Sequence, residues 1–289
     1  MKRFLLFAVA CMACVAAQAQ TAADSLAIVT ATWNIYSPQK GVVHKSLRID
    51  NLYNGAQSIN LVEIARSAKL RLAVAHDNNM RRTSDMAKEH NAVAAINGTY
   101  YNMREGNSTC FYKIDKEVID STAASEAAMR VNGALLLKKG KIQILDWSLD
   151  IEREYEGNKG TVLAAGPIML ENGSKADWSE CSKSFLNTKH PRSAIYTTRD
   201  GKTVLLTVDG RSSGNAAGVT IPELMHLIRV LGGYDALNLD GGGSTTLWIE
   251  DADGSGVVNY PCDNKKFDHE GERRVSNCIY AYELYINIM

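Results

Sequence analysis

The segment from residue 203 to residue 240 constrains the fold of this chain most strongly, because its local signals agree with one another. Residues 203–208 (TVLLTV) are mostly β-branched or leucine, as in a buried strand. Thr220 and Glu223 then form a capping-box pattern, and apolar residues follow at helical spacing until two glycines end the helix. Residues 236–239 predict the next strand. These lengths predict a β-α-β unit with a right-handed crossover, which makes the two strands parallel.

Two carboxylates follow these two strands. Asp209 comes directly after the first strand, Asp240 comes directly after the second, and each is followed by glycine. If the strands are parallel, both side chains lie at the same edge of one sheet. In open α/β sheets that edge is where ligands bind.

The rest of the chain predicts an α+β fold, with a mixed β-sheet core and flanking helices. No Pro/Ser-rich linker, long charge run or repeat divides the chain after the first twenty residues, so one domain is expected. Residues 138–140 (KKG) separate two short strands and predict a hairpin. Further strands are predicted at residues 59–65, 70–75, 92–96 and 161–165, with a short helix at 84–89.

Residues 1–19 are typical of an export signal. Two basic residues precede an apolar run at 4–15, and Ala17-Gln18-Ala19 matches a small-x-small cleavage site. The run is too short to span a bilayer, so no transmembrane segment is expected. The predicted location is the periplasm or the cell surface, with lipidation at Cys11 or Cys14 as the open alternative.

The charge balance limits the expected ligand class, and the cysteine content leaves the disulfide state open. Lys+Arg and Asp+Glu both number 32, so no electrostatic footprint for nucleic acid is present and a glycan or sugar phosphate is the expected ligand. The sequence predicts no oligomeric state. Four cysteines remain after the export signal, and both free thiols and a disulfide stay open: Cys110, Cys181, Cys262 and Cys278.

The most unusual local sequence is DGGGSTT at residues 240–246. Three consecutive glycines indicate positive φ or a close backbone approach, and their N–H groups can face an anion. No lysine follows, as a Walker loop would require, and residues 247–249 read as strand rather than helix. A tight turn without a ligand is the open alternative.

Nearby side chains could complete an anion site. Arg192, Arg211 and Arg273 lie beside turns, and a guanidinium suits bidentate phosphate binding, although each also fits a solvated surface charge. Asn97 and Asn238 fit either sugar binding or turn capping. The histidines show no metal-ligand spacing, and residues 251–256 predict a hairpin turn rather than a calcium loop. No cofactor is therefore expected, with a structural divalent cation as an alternative.

The ordered motifs resemble those of the phosphodiester glycosidase family. The resemblance runs from about residue 90 to the C-terminus, which makes residues 91–289 the expected catalytic domain and leaves residues 20–90 as an N-terminal region packed on it. Any one of these motifs alone is weak, whereas their order is specific. They are INGTYYN (96–102), AAGPIMLENG (164–173), HPRSAIYTTRDGKTVLLTVDGR (190–211), GVTIPELMHLIRVLGGYDALNLDGGGSTTLWI (218–249) and ERRVSN (272–277).

The resemblance implies hydrolysis of a sugar-1-phosphodiester at the anomeric C–O bond. A carboxylate must then act on the anomeric carbon as nucleophile or base, and Asp240 is favoured over Asp209 and Glu272. The alternatives are a phosphodiesterase that cleaves P–O and a non-catalytic glycan-binding protein of the cell surface. The expected substrate- and phosphate-binding residues are Asn97, Gly98, Arg192, Arg211, Asn238, Gly241, Gly242, Gly243, Ser244, Thr245 and Arg273.

Overall fold

The computed structural model describes residues 21–157 and 159–283. The predicted export signal lies outside these residues. The strands are, in chain order, β1 Asn34–Gln39, β2 Val42–Leu52, β3 Gly55–Ile64, β4 Leu70–Arg82, β5 Ala92–Asn97, β6 Tyr112–Ile114, β7 Glu117–Asp120, β8 Gly133–Lys138, β9 Lys141–Asp146, β10 Thr161–Ala165, β11 Ile168–Glu171, β12 Ser174–Lys175, β13 Arg192–Thr198, β14 Thr203–Val208, β15 Gly233–Asn238, β16 Leu247–Ile249 and β17 Arg274–Glu283.

Short helices flank these strands. Residues 21–30 are helical (α1). Then follow α2 Thr83–Glu89, α3 Ala124–Ala127, α4 Leu149–Glu154, α5 Lys183–Asn187 and α6 Ile221–Val230, with one 3₁₀ turn at Gly242–Ser244. Within residues 21–157 and 159–283, no helix is long and apolar enough to cross a bilayer.

The strands form three sheets, in the orders β1-β2-β3-β14-β13-β15-β11-β12, β7-β6-β10-β8-β9 and β16-β5-β17-β4. Every pairing within them is antiparallel. The predicted α+β class is confirmed. Strand β3 pairs with β14, so residues before position 90 share a sheet with the motif-bearing strands.

The predicted strand-helix-strand unit is present, but with one strand inserted. Strand β13 lies between β14 and β15 and is antiparallel to both, so β14 and β15 run in the same direction without touching. The capping box at Thr220 and Glu223 is formed on both sides. The insertion has a plain cause, since β13 precedes β14 by a short turn and pairs with it as a hairpin.

A shared hydrophobic core fixes the sheets against one another. One cluster joins Val62, Leu135, Ile195, Leu237 and Ile279, which come from strands of all three sheets. Helix α6 covers the other face of the large sheet with four buried aliphatic side chains, each contributing about 1.5–3 kcal/mol. Both faces of the large sheet are therefore covered by hydrophobic side chains.

Other local predictions have clear outcomes. The hairpin at residues 138–140 is confirmed by the pairing of β8 with β9, and the turn after β16 is confirmed by the bridge between Trp248 and Val257. The strand predicted at residues 70–75 extends to residue 82. The four cysteines after position 20 are free thiols in the described chain.

Candidate active site

The ends of several strands meet beside the glycine run. Strand β5 ends at Asn97, β14 ends just before Asp209, β15 ends at Asn238, and β13 begins at Arg192. Since β13 runs opposite to its neighbours, its first residue lies at the edge where theirs end. The large sheet therefore gathers Arg192, Asp209 and Asn238 at one end of its strands without being a parallel α/β sheet, and Asn97 meets them from the four-stranded sheet.

Glycine is required in the turn after β15. Gly242 has φ +65°, so the predicted positive φ is confirmed at this position. A Cβ on Gly241 would lie 2.5 Å from the carbonyl oxygen of Pro191, and one on Gly243 would lie 2.3 Å from the Arg273 guanidinium. Gly241 thus allows the turn to approach the Pro191 backbone closely, and Gly243 allows it to approach the Arg273 side chain.

Asp240 carries the carboxylate at the start of this turn. The side chain is partly exposed and accepts a hydrogen bond from the Gly241 N–H at 2.8 Å. Burial raises the pKa of Asp240, whereas the Ser244 hydroxyl, the positive charge of Arg130 and the Gly241 N–H oppose that rise. An ionisable group with opposing influences of this kind is a candidate for chemistry.

Three arginine side chains lie near enough to this carboxylate to interact with its charge. Arg130 and Arg273 both favour the charged form of Asp240. The negative charge of Asp240 in turn favours the charged form of Arg192. Arg130 lies 3.6 Å from the centre of the Tyr100 ring and pairs with Glu126 at 2.7 Å. Sequence reasoning missed Arg130, because it follows a short helix and belongs to none of the recognised motifs.

Arg192 is a buried structural cation. Its guanidinium donates to the backbone carbonyls of Val219 at 3.2 Å, Phe185 at 3.0 Å and Thr188 at 2.9 Å. Burial lowers the pKa of Arg192 to about 10, so it remains charged at neutral pH. These hydrogen bonds tie the end of α5 to β13, and the positive charge of Arg192 lies near enough to interact with Asp240.

Arg211 and Arg273 are placed at the glycine turn. A Cβ on Gly242 would lie 3.1 Å from Arg211, whose guanidinium also approaches His190 Nδ1 at 3.3 Å. Arg273 pairs with Asp263, with Nε donating at 2.9 Å. Both guanidinium groups are exposed or half-buried, so they border the open side of the turn.

Hydroxyl and amide groups supply further polar atoms. The buried hydroxyls of Ser244, Thr245 and Thr246 have no hydrogen-bond partner within the described residues, nor does Oδ1 of Asn238. Buried polar atoms are normally satisfied, so orphans concentrated in one run mark a functional candidate. The Ser244 hydroxyl nevertheless lies near enough to Asp240 to favour its charged form.

The remaining predicted residues brace the turn. Asn238 Nδ2 donates to Tyr100 Oη at 2.9 Å and to the Gly166 carbonyl at 2.8 Å. At Gly98 a Cβ would lie only 1.9 Å from Asn277 Oδ1, so that position must be glycine. These contacts hold the strand ends together rather than facing solvent.

Asp209 and Glu272 lie in different surroundings from Asp240. Asp209 is fully buried and accepts from Ser58 Oγ at 2.7 Å, Asn259 Nδ2 at 2.9 Å and the Tyr260 N–H at 2.9 Å. Glu272 accepts from the N–H of Ser84 at 2.8 Å and from its hydroxyl at 2.6 Å, at the start of α2. Of the three predicted carboxylates, Asp240 is therefore the one that interacts with Arg130 and Arg273.

The chemistry of this site follows from its parts. One carboxylate is set among guanidinium groups and unpaired hydroxyls at a glycine turn, which suits an anionic ligand with polar substituents. Within residues 21–157 and 159–283, no three His, Cys, Asp or Glu side chains are grouped so as to hold a metal ion.

The chain belongs to the phosphodiester glycosidase family, whose model matches residues 90–282. It is 45% identical over 174 residues to the SPbeta prophage-derived uncharacterized protein YomE of Bacillus subtilis, covering 60% of this chain and 26% of that protein. It is 24% identical over 213 residues to N-acetylglucosamine-1-phosphodiester alpha-N-acetylglucosaminidase of Bos taurus, covering 69% of this chain and 38% of that protein. The chain thus spans well under half the length of either curated relative.

Solved structures support the fold. The zebrafish N-acetylglucosamine-1-phosphodiester alpha-N-acetylglucosaminidase catalytic domain, auto-inhibited by its pro-peptide, superposes with a TM-score of 0.67 at 16% identity and 88% coverage of both chains. A hypothetical protein from Synechocystis gives a TM-score of 0.63 at 15% identity, covering 88% of this chain and 64% of that one. At these identities the likeness concerns the fold alone.

Proposed function

We propose that this protein hydrolyses sugar-1-phosphodiesters at the anomeric C–O bond, with an N-acetylglucosamine-1-phosphodiester as the type of substrate. The observation that carries the proposal is the partly exposed carboxylate of Asp240 among arginines. Membership of a hydrolase family and the printed activity of the Bos taurus relative support it. The reaction also suits the positive charge of the arginines at this site, because the leaving group is a phosphate anion.

The roles divide between charge and carboxylate. Arg211 and Arg273, with the Gly243 N–H, would stabilise the departing phosphate as an oxyanion-type site does, since the N–H groups of Gly241 and Gly242 already donate to Asp240 and Pro191. That leaving group is weakly basic, so a general acid matters less than for an ordinary glycoside. Asp240 would then serve the anomeric carbon, as nucleophile or as base for water. The positive charge of Arg130 favours the charged form of Asp240, against the larger effect of burial, which raises the pKa of Asp240.

A panel of sugar-1-phosphodiesters that differ in sugar and anomeric configuration tests this function. Release of free sugar by the wild type is the expected result, with losses in Asp240→Asn and Arg211→Ala. Arg229→Ala, at an exposed cation of α6, is the matched control and should keep full activity. Full activity in Asp240→Asn would remove this site from the mechanism.

Isotope labelling separates the two hydrolytic alternatives. In oxygen-18 water, C–O cleavage puts the label on the sugar, whereas P–O cleavage puts it on the phosphate. A non-catalytic glycan-binding protein would release no sugar from any substrate and would keep its binding in Asp240→Asn. Each result assigns one function and excludes the others.

The proposal includes export. The basic start, apolar run and cleavage pattern of residues 1–19 support an extracytoplasmic enzyme acting on phosphodiesters of surface polymers or host glycans. Cell fractionation, followed by N-terminal sequencing of the mature protein, tests this location. Recovery of uncleaved protein from the cytoplasm alone would contradict it.

A further inference from the structure

A second cleft lies at the end of the large sheet opposite the candidate active site. Its cavity volume is about 810 Å³, and its walls include Thr198 at the end of β13, Thr203 at the start of β14 and Tyr234 in β15. The same three strands carry the candidate active site at their other ends. Strand β13 advances six residues from Arg192 to Thr198, so the two places are separated by about 20 Å.

The cleft is lined by basic side chains. They are Arg66, Arg71, Lys139, Lys141 and Arg199. Each is exposed, and within residues 21–157 and 159–283 none of them forms an ion pair or a side-chain hydrogen bond with another side chain. The whole sequence has no net charge, so this is a local segregation of positive charge.

The three arginines are seated on the surface of the cleft. The stem of Arg66 lies over Gly201, where a Cβ would be 2.9 Å from its Cδ, and the stem of Arg71 lies against Gly140, where a Cβ would be 3.1 Å from its Cγ. Arg199 lies 5.1 Å from the centre of the Tyr234 ring. Such seating restricts the stems while leaving the guanidinium groups open to solvent.

The acidic groups at the cleft have partners other than the five cations. Asp235 is the carboxylate among the lining residues, and its oxygens already accept from the Asn172 N–H at 2.8 Å and the Thr197 hydroxyl at 3.4 Å. Glu171 lies beyond it, where a hydrogen bond to Asp146 and burial raise the pKa of Glu171. Asp200, next to Arg199 in the chain, pairs with Lys202 at 3.4 Å, so none of these carboxylates forms an ion pair with the five cations within the described residues.

We infer that this cleft binds a phosphate-bearing polymer, as a second site that holds the extended part of a polymeric substrate while one linkage occupies the Asp240 site. The inference rests on the proposed function, because such a substrate repeats the phosphodiester group along its length. Guanidinium groups bind phosphate oxygens bidentately, and a spacing of about 20 Å excludes one small sugar phosphate from filling both sites.

Binding of a synthetic poly(glycerol phosphate) chain to the full-length Asp240→Asn protein tests this inference. Replacing Arg66, Arg71 and Arg199 together by alanine should weaken binding by about tenfold, since each exposed cation contributes modestly. Replacing the same three by lysine should restore part of it. The control removes three exposed cations elsewhere, Lys88, Lys183 and Lys266, and should change affinity by less than about twofold.

The outcomes separate the two proposals. Equal weakening in the control and in the cleft variant would overturn the cleft, since only overall charge would then matter. Tighter binding of single-stranded DNA with the same number of phosphates would overturn the assignment to a glycan-type polymer. In the active Asp240 background, the cleft variant should hydrolyse a small sugar-1-phosphodiester at the wild-type rate. A wild type that binds the polymer but hydrolyses no small substrate would refute the proposed function alone.

Discussion

The side-chain amide of Asn97 donates a hydrogen bond to the backbone carbonyl of Asp240 at 2.7 Å. Asn97 Oδ1 meanwhile accepts from the Ser193 hydroxyl at 2.7 Å and from the Thr246 N–H at 3.1 Å. One buried side chain therefore joins the end of β5 to β13 and to both ends of the glycine turn. The position of the Asp240 carboxylate depends on a residue that lies 143 positions earlier in the chain.

Asn97→Ala should reduce both stability and activity. The change leaves the Asp240 carbonyl and the Thr246 N–H without their partner, which costs about 3 kcal/mol in the free energy of unfolding. Displacement of the turn should lower kcat/KM by about 10²-fold. Urea unfolding and initial rates measure the two effects. The exposed Asn79→Ala is the control and should leave both unchanged.

Asp209→Asn and Asp240→Asn should have opposite profiles. Asp209 holds three donors in a buried position, so its substitution should cost about 1–2 kcal/mol in the free energy of unfolding and keep most activity. Asp240→Asn should remove activity by about 10³-fold or more without loss of stability, because burial already disfavours its charged form. Equal losses of activity would show that the two carboxylates share the chemistry.

Arg130 should set the acidic limb of the pH profile. Burial raises the pKa of Asp240 and Arg130 counteracts it, so Arg130→Gln should move the acidic limb of kcat/KM to higher pH. The raised carboxyl pKa also means that the stability contributed by Asp240 is fully present below the ordinary carboxyl range and declines as pH rises through the folded-state pKa. In Arg130→Gln this loss of stability should also extend to higher pH. Arg130→Lys should restore the wild-type limb, and an unchanged limb in Arg130→Gln would exclude this role.

The sequence predicted the local framework of the site well. The capping box of α6, the positive φ in the glycine run and the common direction of β14 and β15 are all confirmed, because each depends on residues close together in the chain. The inserted strand β13 could not be foreseen from the β-α-β pattern, since a hairpin partner leaves no mark in the sequences of the strands it separates.

Side-chain roles were less predictable than positions. Arg192 and Asn97 have the residue types expected of ligand contacts, yet their hydrogen bonds are used within the fold. Whether an arginine meets a ligand or three carbonyls depends on how α5 and α6 pack, which local sequence does not encode. Arg130 lies in the segment between β7 and β8, 110 positions before Asp240 in the chain. Its effect on the Asp240 carboxylate is therefore visible only in the folded structure.

Glu272→Ala should lower stability and spare catalysis. The carboxylate caps the start of α2 through the N–H and hydroxyl of Ser84, and loss of such a cap costs about 1–2 kcal/mol in the free energy of unfolding. Thermal melting and kcat/KM are the measurements, with the exposed Glu270→Ala as control. A loss of kcat in Glu272→Ala at unchanged melting temperature would restore Glu272 as a catalytic candidate.

Gly242→Ala and Gly254→Ala form a matched pair that isolates close approach in the glycine turn. Their φ angles are +65° and +67°, so alanine strains both backbones by about 1 kcal/mol. Nothing lies within 4 Å of a Cβ on Gly254, whereas one on Gly242 would meet the Arg211 guanidinium at 3.1 Å. Both variants should lose similar stability, but only Gly242→Ala should raise KM for a sugar-1-phosphodiester, because it displaces Arg211. Equal KM values in the two variants would show that Arg211 does not contact the substrate.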